Sequence, residues 1–275
     1  MINTGKNLWK NLNTSRHFFN NPLAVIISGL KAQYEVQFKK VLLQDYKVSQ
    51  LPTVDLLEFF QEFNEELYAY SFLEGTSLIT DLMLLKKLAS SFPACEYLEI
   101  GSWRGESIRN ISEVAAHCTA VTLSPKEMLE MGLSQGFVDV HGLYSKGVNN
   151  ITEILANSRS FDFESLDKKF DLIFIDGDHT YEGVLNDTKK TFNLRKDSSS
   201  VIVWHDYGFS METLRPSVLK AIMDGIPKEK HKNLYHVSNT MCAVYIENKN
   251  FKTYATKFPT FPNKRFSLQL KTHKV

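Results

Sequence analysis

Two runs in the second half of the chain, Phe170-Asp-Leu-Ile-Phe-Ile175 and Ser200-Val-Ile-Val-Trp204, are almost wholly apolar and too short to be helices. Such runs suit strands buried on both faces, which a parallel sheet layered between helices provides. Their surroundings repeat the pattern. Glu96–Ile100 and Thr119–Leu123 read as further strands, and Phe137–Val140 as a weaker one. Between them, apolar residues recur at helical spacing: Leu78, Leu82, Leu85 and Leu88, then Ile108 and Ile111, then Val184, Leu185 and Phe192, then Leu214, Val218 and Ile222. Leu234–Val237 and Cys242–Ile246, separated by four turn residues, read as a hairpin. Alternating strands and helices predict a doubly wound α/β domain from about residue 93 to 250, mostly parallel, with an antiparallel pair at its edge.

The flanks differ. Residues 1–50 mix Asn, Lys and aromatics without a clean period. From Thr53, Leu56, Leu57, Phe60, Phe63 and Leu67 predict a helix. The expected division is a helical extension over 1–75, the main domain over 76–250 and a basic tail over 251–275. From Glu247 onward there are seven Lys or Arg and one acid. We expect this segment to lie over the sheet, anchored by Phe251, Phe258, Phe261 and Phe266.

Composition narrows the function classes. In 275 residues, 32 basic side chains balance 31 acidic ones, so no global field points to nucleic acid or an anionic membrane. The apolar run Leu23 to Ile27 is far short of the roughly 20 residues a spanning helix needs. It starts beyond residue 20 with no small-residue cleavage pattern after it, so no signal peptide is expected. Three scattered cysteines form neither a disulfide framework nor a cysteine zinc cluster. The expected compartment is the cytoplasm.

Ligands of open α/β sheets sit beyond the carboxyl ends of the strands. There the chain places Gly101-Ser-Trp-Arg-Gly105, Ser124, Ser145, Asp176-Gly-Asp-His179 and His205-Asp206. A buried strand running straight into two carboxylates and an imidazole cannot bury them unpaired, at a cost of several kcal/mol apiece. His205-Asp206 ends the neighbouring strand in the same way. With strands about 4.8 Å apart, Asp176 and Asp206 should reach a common ligand or cation.

Leu98-Glu-Ile-Gly-Ser-Trp-Arg-Gly-Glu-Ser107, Phe174-Ile-Asp-Gly-Asp-His-Thr-Tyr-Glu-Gly183 and Val203-Trp-His-Asp-Tyr207 together resemble class I S-adenosylmethionine (SAM) methyltransferases. The methyltransferase-24 family is the nearest match. The resemblance implies a Rossmann-like seven-stranded sheet with a reversed terminal hairpin, and SAM as cofactor. It also implies that Glu99, Gly101, Ser102 and Gly105 line the methionine and ribose, and that Ser145 lies near the adenine. Ser124 stands where the family usually has an acid for the ribose hydroxyls. Metal-dependent members would bind Mg²⁺ through the positions of Asp176 and Asp206, with Asp178 as a third candidate ligand. His179 then falls where the base stands, with His205 as second choice.

The expected activity is methyl transfer to a hydroxyl of a small molecule, a saccharide or secondary metabolite, with a homo-oligomer formed through the N-terminal arm. Two rivals are a non-catalytic SAM-binding or assembly subunit and a nicotinamide-dependent oxidoreductase. Trp103, at the second glycine of a dinucleotide loop, argues against the latter.

Overall fold

The structure is a computed structural model and describes residues 22–274. The arm before Pro22 lies outside the described residues. Its continuation, α1 (Pro22–Asp45), is a helix.

Nine strands form one sheet: β1 (Thr53–Val54), β2 (Glu96–Ile100), β3 (His117–Thr122), β4 (Ile151–Leu155), β5 (Leu172–Ile175), β6 (Val201–Trp204), β9 (Leu234–Val237), β10 (Ala243–Tyr245) and β11 (Thr253–Tyr254). A separate two-stranded ribbon is made by β7 (Gly208–Ser210) and β8 (Thr213–Leu214). The spatial order is β11-β1-β9-β10-β6-β5-β2-β3-β4. β10 runs antiparallel to both β6 and β9, and β4, β3, β2, β5 and β6 are mutually parallel. Seven of these strands make the doubly wound sheet and reversed hairpin. The hairpin is not the edge, because β1 pairs parallel to β9 and β11 pairs with β1. The sheet therefore draws one strand from each flanking segment.

The apolar runs sit in the middle of the sheet, and their alternation builds two cores. Leu172, Phe174, Val201 and Val203 face one layer, which contains Leu84, Leu85 and Leu88 of α3 (Ile79–Ser90) and Ile108 and Ile111 of α4 (Glu106–Ile111). Ile173, Ile175, Ile202 and Trp204 face the other, with Val184 of α7 (Tyr181–Thr191), Val218, Leu219 and Ile222 of α8 (Pro216–Gly225) and Leu42 of α1. α1 is fastened to this face: Glu35 accepts from the backbone N–H and hydroxyl of Ser217, at 2.9 and 2.7 Å.

Three further expectations are corrected. The helix predicted from Thr53 is a strand followed by the single turn α2 (Leu56–Phe59), capped by Asp55. Beyond it, Tyr68, Ala69 and Ser71 give their N–H groups to Asn110 and Glu106, not to a helix of their own. Phe137–Val140 falls largely in a helix, α6 (Gln135–Asp139), capped by Ser134, and Phe137 stacks on Trp103 at 4.5 Å. β4 is the strand this misreading displaced. In the tail, Phe251 packs on Phe59, but Phe258, Phe261 and Phe266 are exposed.

Candidate active site

The chain leaves β2 for β3 on one side and returns through β5 on the other, so the loops after β2 and β5 diverge at this switch point. They stay in contact at their roots. Gly101 has φ +83°, and a Cβ there would overlap the carbonyl oxygen of Asp176 and stand 2.7 Å from Cα of Gly177. Glycine is needed here so that two loops can meet. Gly105, at φ +81°, begins α4 with Ser145 beneath it, whose Oγ would lie 2.6 Å from an added Cβ.

Between these glycines the loop is braced from outside. Trp103 lies between Phe137 and the Arg104 guanidinium, with Gly75 against its ring. Arg104 is buried, pairs with Glu106 at 3.1 Å and donates to Thr76 Oγ1 and the Glu74 carbonyl. Residues 68–77 thus form a strap over the loop. Within it, Ser102 Oγ and Trp103 Nε1 are buried without a hydrogen-bond partner among the described residues. Unsatisfied buried donors are costly, and a bound ligand is one way to satisfy them.

Glu99 lies behind this loop, fully buried, accepting from Tyr97 Oη at 2.5 Å and Ser107 Oγ at 2.7 Å. Burial raises its carboxyl to about 8, against the pull of those two donors. Ser145 gives its hydroxyl to Glu153. Ser124 caps α5 (Pro125–Glu130): its Oγ accepts from Glu127 N–H at 3.2 Å and donates to Glu127 Oε2 at 2.7 Å. The carboxylate at the end of β3 therefore belongs to Glu127. The Ser-Pro-Lys-Glu capping box was the sequence signal for it.

The second half of the site stands on β5 and β6. His205 is 7% exposed in its side chain; its Nε2 lies 3.1 Å from Asp81 Oδ2 and its Nδ1 3.0 Å from Asp176 Oδ1 and 3.5 Å from Asp206 Oδ2. Neither carboxylate near Nδ1 lies along a good hydrogen-bond direction. Burial opposes charge on His205, but the three carboxylates outweigh it and hold the imidazolium well above its ordinary pKa. Burial raises Asp176, although His205 pulls the other way. Asp206 has φ +57° and is lowered despite burial, because His205 and Arg215 face it, Arg215 at 3.1 Å.

His179 is 57% exposed, with Nδ1 3.9 Å from Asp206 Oδ2. Asp178 turns away from the cluster: it pairs with Arg159 at 2.6 Å and accepts from Thr180 before α7. The donor atoms that converge, all within 4.8 Å, are those of Asp176, His205 and Asp206. His205 thus takes the third place expected for Asp178. Asp81 and Arg215 were not foreseen, since they reach the cluster from distant or irregular segments. A shallow depression of about 330 Å³ begins at Tyr207 and extends to His236 and Thr256, and none of the three clustered residues lines it.

Residues 98–207 match the model of a methyltransferase domain family. No curated protein matches the chain. Among solved structures, cofactor-bound Rv0187 from MTB is 18% identical, with 65% of this chain and 84% of that one covered and a TM-score of 0.43. An O-methyltransferase from Bacillus cereus in complex with SAH is 14% identical, with 64% and 84% covered and a TM-score of 0.42. SAM-bound CalS10, an amino pentose methyltransferase from Micromonospora echinaspora, is 15% identical, with 52% and 58% covered and a TM-score of 0.35.

Proposed function

Residues 98–207 form a methyltransferase domain of the class I family, and from that premise we propose that the chain moves the methyl group of SAM to a hydroxyl of a small acceptor. The contact of Gly101 with Asp176 carries this reading. It makes the wall of the loop that would hold the cofactor also the wall of the carboxylate–imidazole cluster. A donor methyl and an acceptor oxygen held on either side of that wall would need only alignment and removal of one proton.

Glu99 would face the amino group of SAM, Ser102 and the Gly105 turn its methionine and ribose, and Glu127 the ribose hydroxyls. Ser124 supports Glu127, and Ser145 with Glu153 closes the floor near the adenine. SAM, when bound, would supply the methyl group and leave as the neutral thioether once the acceptor oxygen takes the carbon. His179, whose imidazole is exposed beside Asp206, would accept the hydroxyl proton.

The cluster also fits a divalent cation. His205 Nδ1 is a buried ring nitrogen without a directed partner, and Asp176 and Asp206 face it. These three residues would hold the ion, which would polarise the acceptor hydroxyl. An imidazole among the donors suits Mg²⁺, with its preference for oxygen, less well than Mn²⁺. For the rest of the acceptor, a saccharide or secondary metabolite, the rim offers exposed Phe209 and Met211 on the β7–β8 ribbon. Phe209 packs on Arg215 at 4.1 Å.

Calorimetry with SAM and its demethylated product tests the reading. Binding of both, weakened by Ser102→Ala, is expected; no binding of either at millimolar concentration would overturn it.

A further inference from the structure

Asp81 lies in α3, outside the matched span of residues 98–207, yet it is completely buried against the cluster. Backbone donors fix both of its oxygens: Met241 N–H gives to Oδ1 at 2.8 Å and Leu78 N–H to Oδ2 at 3.0 Å. Oδ2 also lies 3.1 Å from His205 Nε2, and His205 is its one ionic partner among the described residues. The sulfur of Cys242 completes the enclosure at 3.6 Å. A carboxylate pinned at both oxygens cannot follow a moving ring, so the ring must follow it.

We propose that Asp81 is a positioning residue: by accepting the Nε2 proton of His205 it locks the imidazole with Nδ1 turned to Asp176 and Asp206. The consequence for the site rests on the methyltransferase reading above. A ring held this way keeps Nδ1 fixed between the two carboxylates, sharing its proton with them, and a cation would have to displace that proton to be ligated. A hydrogen bond to the far nitrogen of a ligating histidine fixes its tautomer and orientation, and losing it costs about 10–100-fold in metal affinity. Asp81 is not among the three converging donors, so it acts only through His205.

The experiment uses the full chain labelled with ¹⁵N-histidine, long-range proton–nitrogen spectra with His205→Gln to assign the ring, and Mn²⁺ titration by calorimetry. In the unsubstituted protein, Nε2 should carry a proton shielded from exchange. In Asp81→Leu, which is close in size and has no acceptor, the Nε2 resonance should move to that of an unprotonated nitrogen. Mn²⁺ affinity should then fall about 10–100-fold, with SAM affinity unchanged. Unaltered nitrogen shifts and Mn²⁺ affinity in Asp81→Leu would overturn the proposal. So would an unprotonated Nε2 in the unsubstituted protein, a reading that does not depend on the variant folding. If SAM fails to bind the unsubstituted protein while the nitrogen shifts behave as expected, the methyltransferase reading falls and the role of Asp81 stands.

Discussion

The backbone of Gly101 lies so close to Asp176 that a Cβ on the glycine would stand 2.9 Å from the carbonyl carbon of the aspartate. Gly101→Ala therefore has to move the root of β5 as well as adopt φ +83°, which alone costs about 1–2 kcal/mol for a residue with a side chain. We expect a clear fall in thermal midpoint without ligand and a further loss of SAM affinity. A variant that melts like the unsubstituted protein would show that the two loops are not in contact.

Glu99 is expected to make the proposed cofactor site sensitive to pH. Its carboxyl is held at about 8 when folded, against an ordinary 4.5. The sign follows from proton counting: between those values the folded chain binds the extra proton, so this group's stabilisation is complete below 4.5 and lost as pH rises through about 8. Denaturant titrations should show Glu99→Gln gaining on the unsubstituted protein as pH rises across that window. SAM, which brings a cationic amino group, should favour the ionised carboxylate, so its affinity should rise with pH in the unsubstituted protein and flatten in Glu99→Gln. Parallel pH profiles in the two proteins would remove Glu99 from the site.

Ser124 is predicted to matter through its cap. Ser124→Ala should destabilise the protein by about 1 kcal/mol, as lost N-caps do, and loosen Glu127. Ser124→Asp can still cap and should retain stability. Glu127→Gln should weaken SAM binding more than either. Calorimetry that ranks Ser124→Ala as the most damaging for binding would put the ribose on the serine.

Proton removal and charge at the acceptor can be separated by two perturbations. With an acceptor in hand, His179→Ala should slow turnover by roughly the 10²–10⁴-fold characteristic of a general base. Chelator should stop turnover and Mn²⁺ restore it, with Asp206→Asn raising the Mn²⁺ concentration required. Turnover that ignores both chelator and His179→Ala would leave alignment alone as the source of rate.

The sheet could be read where burial is uniform. β5 and β6 are apolar throughout and buried along their whole length, which leaves the buried strand as the one pattern they fit. β4 escaped because Ile151-Thr-Glu-Ile-Leu155 alternates only weakly and is partly exposed along its length. Phe137 misled because its apolar neighbours suggested a strand, whereas it serves to stack on Trp103 from a capped turn of helix. In the site, Asp176, His205 and Asp206 were legible because charge directly after a buried strand has few structural explanations. Asp81 was not: it sits in an ordinary helical pattern, and its partner is 124 residues away. Arg215 was hidden in an irregular segment, and only the fold brings it against Asp206.

β11 covers β1, and β1 in turn covers β9, so residues from opposite ends of the chain close the same side of the sheet. Shortening the chain before Thr253 would leave Thr53–Val54 with one open row of backbone donors and acceptors. An open row of that kind pairs readily with another molecule. The tail, two residues of which are strand, covers that row, and removing it is expected to raise self-association.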